Sequence, residues 1–212
     1  KSLSSIQVRH TTNKVSPAPQ FSRGRTFGVP LEALPKHAAQ CGVPFPVTQM
    51  VEYLEVFGEL KFCLLWSLKT AISSVIHLKS GLQRVGIFRI SGSVNKIKEL
   101  KRKYNQGEKV DLINHGDVDS VASLLKQFLN ELPVAVFPDS VCDGMLKTFQ
   151  EHRINTTECI KNLRQLLNCL PKAHQNLLQF LSAFLIKVAT YSAVNCMTLD
   201  NLAIVFGPAL FK

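Results

Sequence analysis

The stretch 118–132 constrains the fold more tightly than any other part of the sequence. Val121, Leu124, Leu125, Phe128, Leu129 and Leu132 recur at i, i+3, i+4, i+7, i+8 and i+11. That spacing lines one face of an α-helix with apolar side chains. Ser123, Lys126, Gln127 and Asn130 fall on the other face, and Pro133 ends the helix, because the residue before a proline is pushed out of the helical region. An apolar stripe of this length has to be covered by neighbouring elements, and the rest of the chain offers helices for the task. Further helical spacing is found over 59–79, from Val94 to Tyr104, and over about 139–151, 156–169, 172–191 and 198–206. Thr48 is placed to cap a helix carrying Val51 and Leu54, following a rigid loop over 42–46. Strand signals are nearly absent and no segment repeats. The expectation is an all-α domain built as a helical bundle.

The 212 residues suffice for one domain with a sizeable core. Hydrophobic residues make up 46% and charged ones 19%, as in ordinary globular proteins. The first 25 residues are rich in Ser, Thr, Pro and Lys without hydrophobic period, and read as a flexible basic leader to a domain over 26–212. Lys1, Arg9, Lys14, Arg23 and Arg25 in that leader supply part of the net charge of +10. A basic surface suits acidic partners, such as nucleic acid, anionic lipid or an acidic protein face, and a solvated lysine face accounts for it equally. No nucleic-acid-binding motif or aromatic stacking platform accompanies the charge, so no nucleic-acid partner is expected. The six cysteines form no C-x-x-C pair and have no histidine at metal-ligand spacing. They read as small buried hydrophobes of a reducing compartment, with no metal site. The N-terminus lacks a signal-peptide pattern. The most apolar run, 60–76, is interrupted by Lys61 and Lys69 and is short of the roughly 20 residues of a membrane span. A cytoplasmic location is expected.

Motifs of self-contained catalysis are missing. There is no G-x-S-x-G, H-E-x-x-H, Walker A loop or dinucleotide fingerprint, and the six histidines are scattered. No enzyme chemistry and no cofactor are expected. Arg89 stands out as the lone cation of Gly86-Ile87-Phe88-Arg89-Ile90-Ser91-Gly92-Ser93. Such a segment cannot bury a guanidinium cheaply, so the apolar neighbours would anchor it while Arg89 points outward. On spacing alone, a structural salt bridge and a cation presented to a partner both remain open. Lys126 and Asn130, one helical turn apart, read by themselves as a solvated face.

Four segments in order resemble the Rho GTPase-activating-protein (RhoGAP) domain family. Phe27-Gly28-Val29-Pro30-Leu31 is similar to the family's opening, and 86–93 to its finger loop. Residues 122–133, Ala-Ser-Leu-Leu-Lys-Gln-Phe-Leu-Asn-Glu-Leu-Pro, resemble its central helix. Met197-Thr198 with Asn201-Leu202-Ala203-Ile204-Val205-Phe206-Gly207-Pro208 resembles its C-terminal signature. The resemblance implies an all-helical fold and a partner, a Rho-family small GTPase in the GTP-bound state. It also implies a role: Arg89 would enter the partner's active site in trans as an arginine finger. Lys126 matches the lysine that supports the finger loop and the switch contact. The chain would then be a GTPase activator, not itself an enzyme. Nucleotide, Mg²⁺ and catalytic glutamine would belong to the partner.

The chain departs from the family pattern at three places. Asn130 stands where the family usually has arginine, and Ala209 where it commonly has an asparagine that touches the GTPase. Val56 to Ser80 looks like an insertion ahead of the finger loop. It reads either as an extra helix beside the bundle or as an apolar patch for another partner or a membrane surface. The sequence also ends at Lys212, where family members carry a further helix. These departures keep a second function in view: a weak or inactive RhoGAP-like module acting as a protein-interaction domain. The basic leader with 59–79 leaves peripheral membrane contact as a third reading.

Overall fold

The computed structural model describes residues 24–36, 42–56 and 80–211. Most of the basic leader, and the apparent insertion apart from its two ends, lie outside these residues. The described chain runs through helices α1 (Phe45–Val56), α2 (Val94–Asn105), α3 (Leu112–His115), α4 (Val118–Asn130) and α5 (Asp139–Glu151). It continues through α6 (Thr156–Asn168), α7 (Lys172–Thr190), α8 (Ser192–Asn195) and α9 (Leu199–Leu210). Single 3-10 turns occupy Leu31–Ala33 and Gly81–Gln83. Among the described residues there is no strand, only isolated bridges at Lys36–Pro44 and Phe137–Phe211.

Helix α4 is the centre of the bundle, and its sequence says why. Asp117 caps it, Oδ1 accepting the Ser120 amide at 2.9 Å, which satisfies one of the donors a helix start leaves free. Val121, Leu124, Leu125 and Leu129 are fully buried and Phe128 is 1% exposed. Their stripe packs against α1, α2 and α9. Each such side chain contributes roughly 1.5–3 kcal/mol by leaving water. Helix α7 adds Leu177, Leu181, Phe184 and Val188 to the same core. A smaller cluster of Phe137, Val141 and Leu170 joins the α5–α6 pair to the bundle. At the N-terminal side, Asn105 Oδ1 accepts the amides of Thr26 and Phe27. The Phe27 ring is fully buried, edge-on to Phe128 at 5.6 Å.

The all-α expectation agrees with this architecture; several details differ. Helix α1 starts at Phe45, so Thr48 is not a cap but a buried residue of the first turn, its Oγ1 donating to Phe45 O at 2.9 Å. Pro46 suits that first turn, where a missing N–H costs nothing. Helix α9 does not stop near 206 but continues through Gly207 and Pro208 to Leu210. Phe206 and Ala209 are buried on one of its faces. Its end is pinned where Phe137 N donates to Leu210 O at 3.0 Å and the Phe137 and Phe211 rings stack at 4.5 Å. Helices α3 and α8, of four residues each, are too short to show a hydrophobic period. No described helix is long and apolar enough to cross a membrane.

The described residues flanking 57–79 lie side by side, Ser80 Oγ donating to the carbonyl of Glu55 at 2.6 Å. Helix α1 and the Gly81–Gln83 turn also pack directly on each other. A chain lacking 57–79, joined by a short Gly-Ser linker, is therefore expected to keep its helical circular dichroism and to melt within a few degrees of the parent. A collapse of the thermal transition would show that the bundle depends on the removed residues.

Candidate functional site

The segment from Ser80 to Ser93 is a loop whose backbone is held at many points. It opens on the 3-10 turn, where Ser80 Oγ accepts the Leu82 amide at 3.2 Å. Gly86, at φ +70°, turns the chain, and its amide donates to Asn195 O at 2.8 Å. The amides of Arg89 and Ile90 both return to Gly86 O, at 2.8 and 2.9 Å, closing a tight coil. At its centre Phe88 has φ +68°, a left-handed backbone that a bulky residue adopts only under constraint. The constraint is visible. Phe88 is fully buried, with its ring edge-on to Phe206 at 4.9 Å and to Phe184 at 5.9 Å. Its carbonyl accepts a bond from Lys126 Nζ at 2.5 Å. The strain of such a backbone, on the order of 1–3 kcal/mol, is offset by the burial of an aromatic ring.

The far side of the loop is held by α4. Gly92 N donates to Ser123 Oγ at 3.1 Å and Ser93 N to Ser120 Oγ at 3.0 Å. Ser120 is fully buried, and its hydroxyl donates in turn to Asp117 Oδ2 at 2.9 Å. Burial works to raise the Asp117 carboxyl, but hydrogen bonds from Lys96 and Ser120 prevail and hold it below the usual carboxylate range. Gly92 allows this approach because it has no side chain. A Cβ there would lie 2.3 Å from both Cα and N of Ser120.

The loop carries two arginines with opposite circumstances. Arg84 is paired with Asp119 through both carboxylate oxygens, Nη2 to Oδ2 at 2.8 Å and Nε to Oδ1 at 3.3 Å. Arg89 is exposed, and its guanidinium makes no hydrogen bond or ion pair among the described residues. Its guanidinium lies back over Gly86, where a Cβ would stand 3.5 Å from Nη2. Among the described residues, the salt bridge left open by the sequence is made by Arg84 and not by Arg89. Exposed Val85, Ile90 and Val94 flank the arginine.

The remaining candidates divide. Lys126 is not a solvated residue: it is half-buried, its ammonium is turned into the loop, and burial lowers its pKa. Asn130, one turn further along α4, is exposed. Ala209 is 2% exposed and belongs to the main core, so it lies inside the bundle and presents no surface to a partner's edge. The continuation of α9 past Pro208 turns that position inward. Sequence reasoning passed over Arg84, Ser120, Ser123 and Asn195. The serines were legible as polar positions within α4, but nothing in their spacing tied them to the loop amides. Among the described residues no cluster of His, Cys, Asp or Glu could hold a metal ion.

A bundle of this kind, with such a loop laid across its central helix, can be compared with known proteins. The family profile described as RhoGAP domain matches residues 68–212. Rho GTPase-activating protein gacJJ of Dictyostelium discoideum is 35% identical over 188 residues, which is 89% of this chain and 18% of that protein. Human Rho GTPase-activating protein 24 is 38% identical over 132 residues, 62% of this chain and 18% of that protein. The crystal structure of human Rho GTPase activating protein 15 superposes with a TM-score of 0.67 at 26% identity, covering 88% of this chain and 77% of that one. The fold is thus that of the all-α GTPase-activating domains. The chain belongs to the RhoGAP domain family and spans 18% of the length of these two curated relatives.

The close approach at Gly92 gives a direct test of the loop's seat. Gly92→Ala would push a methyl group into the α4 backbone, which no rotamer change relieves, and is expected to cost about 1–3 kcal/mol in urea unfolding. Phe88→Ala, which empties the anchor pocket, is expected to cost about 3–5 kcal/mol. Unchanged unfolding midpoints for both would mean the loop is not seated on the bundle in this way.

Proposed function

We propose that this chain accelerates GTP hydrolysis on a Rho-family small GTPase in its GTP-bound state, with Arg89 entering the partner's active site in trans as an arginine finger. The observation that carries this reading is the contrast within one loop: the Arg84 guanidinium is bound to Asp119, while that of Arg89 is exposed with no partner among the described residues. A guanidinium held on an anchored loop suits charge that builds on phosphate oxygens in a transition state. Such a finger is worth on the order of 10³–10⁵ in rate. Lys126 would act through the loop, holding the Phe88 carbonyl so that the next residue faces outward. The chain would be a regulator, the nucleotide, its Mg²⁺ and the hydrolytic water belonging to the GTPase. Residues 26–212 would form the domain, with 56–80 inserted ahead of the finger loop, and the setting would be cytoplasmic, where the partner acts.

One observation favours a second reading, a docking module with weak or no activation. Asn130 is exposed and uncharged on the α4 face where relatives of this pattern usually carry arginine, so an acidic partner surface would be held less well. Ala209, being buried, offers a partner no such surface.

Single-turnover GTP hydrolysis by a panel of Rho-family GTPases separates the two. The activator reading predicts acceleration of at least one member, reduced by about 10³-fold in Arg89→Ala and not restored by Arg89→Lys, which lacks the planar fork. Binding without acceleration across the panel would decide for the docking module, and acceleration untouched by Arg89→Ala would overturn Arg89 as the finger.

A further inference from the structure

Asn195 is fully buried, the last residue of α8, and every polar atom of its side chain is used. Its Nδ2 donates to Leu82 O at 2.8 Å and to Val188 O at 2.9 Å. Its Oδ1 accepts the Met197 amide at 2.7 Å. Its own carbonyl accepts the Gly86 amide at 2.8 Å. These partners belong to three separate pieces of chain: the start of the Arg89 loop, the end of α7, and the entry to α9. Cys196, in the left-handed conformation at φ +60°, turns the chain so that the Met197 amide folds back onto Asn195. Helices α7 and α9 are the ones that supply Phe184 and Phe206 to the Phe88 ring.

We propose that Asn195 is the positioning residue for Arg89: through Leu82 and Gly86 it fixes where the loop leaves the bundle, and so where the guanidinium stands. The proposal rests on the reading of Arg89 as the finger. The chemistry explains the residue type. The position requires two donors and one acceptor within a short side chain, which a carboxamide supplies and a carboxylate does not. With the donors removed, the carbonyls of Leu82 and Val188 would be left buried without a partner. The loop start would then shift to find others, displacing Arg89 while the exposed docking face of α4 stays in place. A displacement of about 1 Å at a catalytic group can cost on the order of 10²-fold in rate.

The test is a double-mutant cycle on stimulated single-turnover hydrolysis, with Asn195→Asp, Arg89→Ala and the pair, each checked for folding by circular dichroism. Asn195→Asp is expected to lower the maximal stimulated rate by about 10- to 100-fold, with the half-saturating GTPase concentration unchanged. In the Arg89→Ala background it is expected to cause no further loss, because it acts through Arg89. A folded Asn195→Asp with the parent's maximal rate, or an equal loss with and without Arg89, overturns the proposal. If Asn195→Asp does not fold, Asn195→Ser, with a smaller hydroxyl, goes through the same cycle and is judged by the same two outcomes. Failure of the underlying reading is seen separately: Arg89→Ala alone would leave the stimulated rate unchanged.

Discussion

The burial of one phenylalanine in a left-handed backbone organises everything around the candidate site. Phe88 cannot keep φ +68° unless its ring is gripped, and the grip comes from Phe184 on α7 and Phe206 on α9. With the ring facing in, the next residue in so tight a coil faces out. Lys126 completes the arrangement by taking the Phe88 carbonyl, a group that would otherwise lack a partner beside the core. The ammonium has lost much of its water to reach it, which is why burial lowers its pKa. Core packing, backbone strain and a partly desolvated cation thus converge on one peptide unit.

Electrostatics within the loop then divides labour between its two guanidinium groups. Arg84, held by Asp119 at the start of α4, staples the loop to the bundle. Arg89, five residues on, is exposed and has no such hold among the described residues. Ser120, Ser123 and Asn195 secure the backbone on either side with neutral hydrogen bonds.

How much of this was legible in the sequence follows the range of each interaction. The α4 stripe was readable because a helix repeats its signal every turn, and Val121 to Leu132 carry that signal without interruption. Arg89 was recognisable as an odd cation, but whether it was paired depended on Asp119, distant in sequence and fixed only by the fold. Lys126 read as solvated because the Phe88 carbonyl that draws it inward belongs to another segment. The left-handed Phe88 has no local signature, since tertiary packing imposes it against the residue's own preference. The burial of Ala209 was not legible because the tail of a motif does not reveal whether a helix runs on through it. Asn195 sits in a stretch, Val194-Asn195-Cys196, that reads as an ordinary turn until its three hydrogen bonds are seen.

The central claim is that Arg89 is held out for a transition state rather than for ground-state binding. An interaction made only in the transition state strengthens binding to a mimic of it more than to the ground state. The decisive measurement is the affinity of the chain for a Rho-family GTPase loaded with GDP and aluminium fluoride, against the same GTPase loaded with a non-hydrolysable GTP analogue. The account predicts tighter binding to the aluminium fluoride form, and loss of that preference in Arg89→Ala with the analogue-bound affinity retained. Equal affinity for the two forms, or a preference that survives Arg89→Ala, would contradict it.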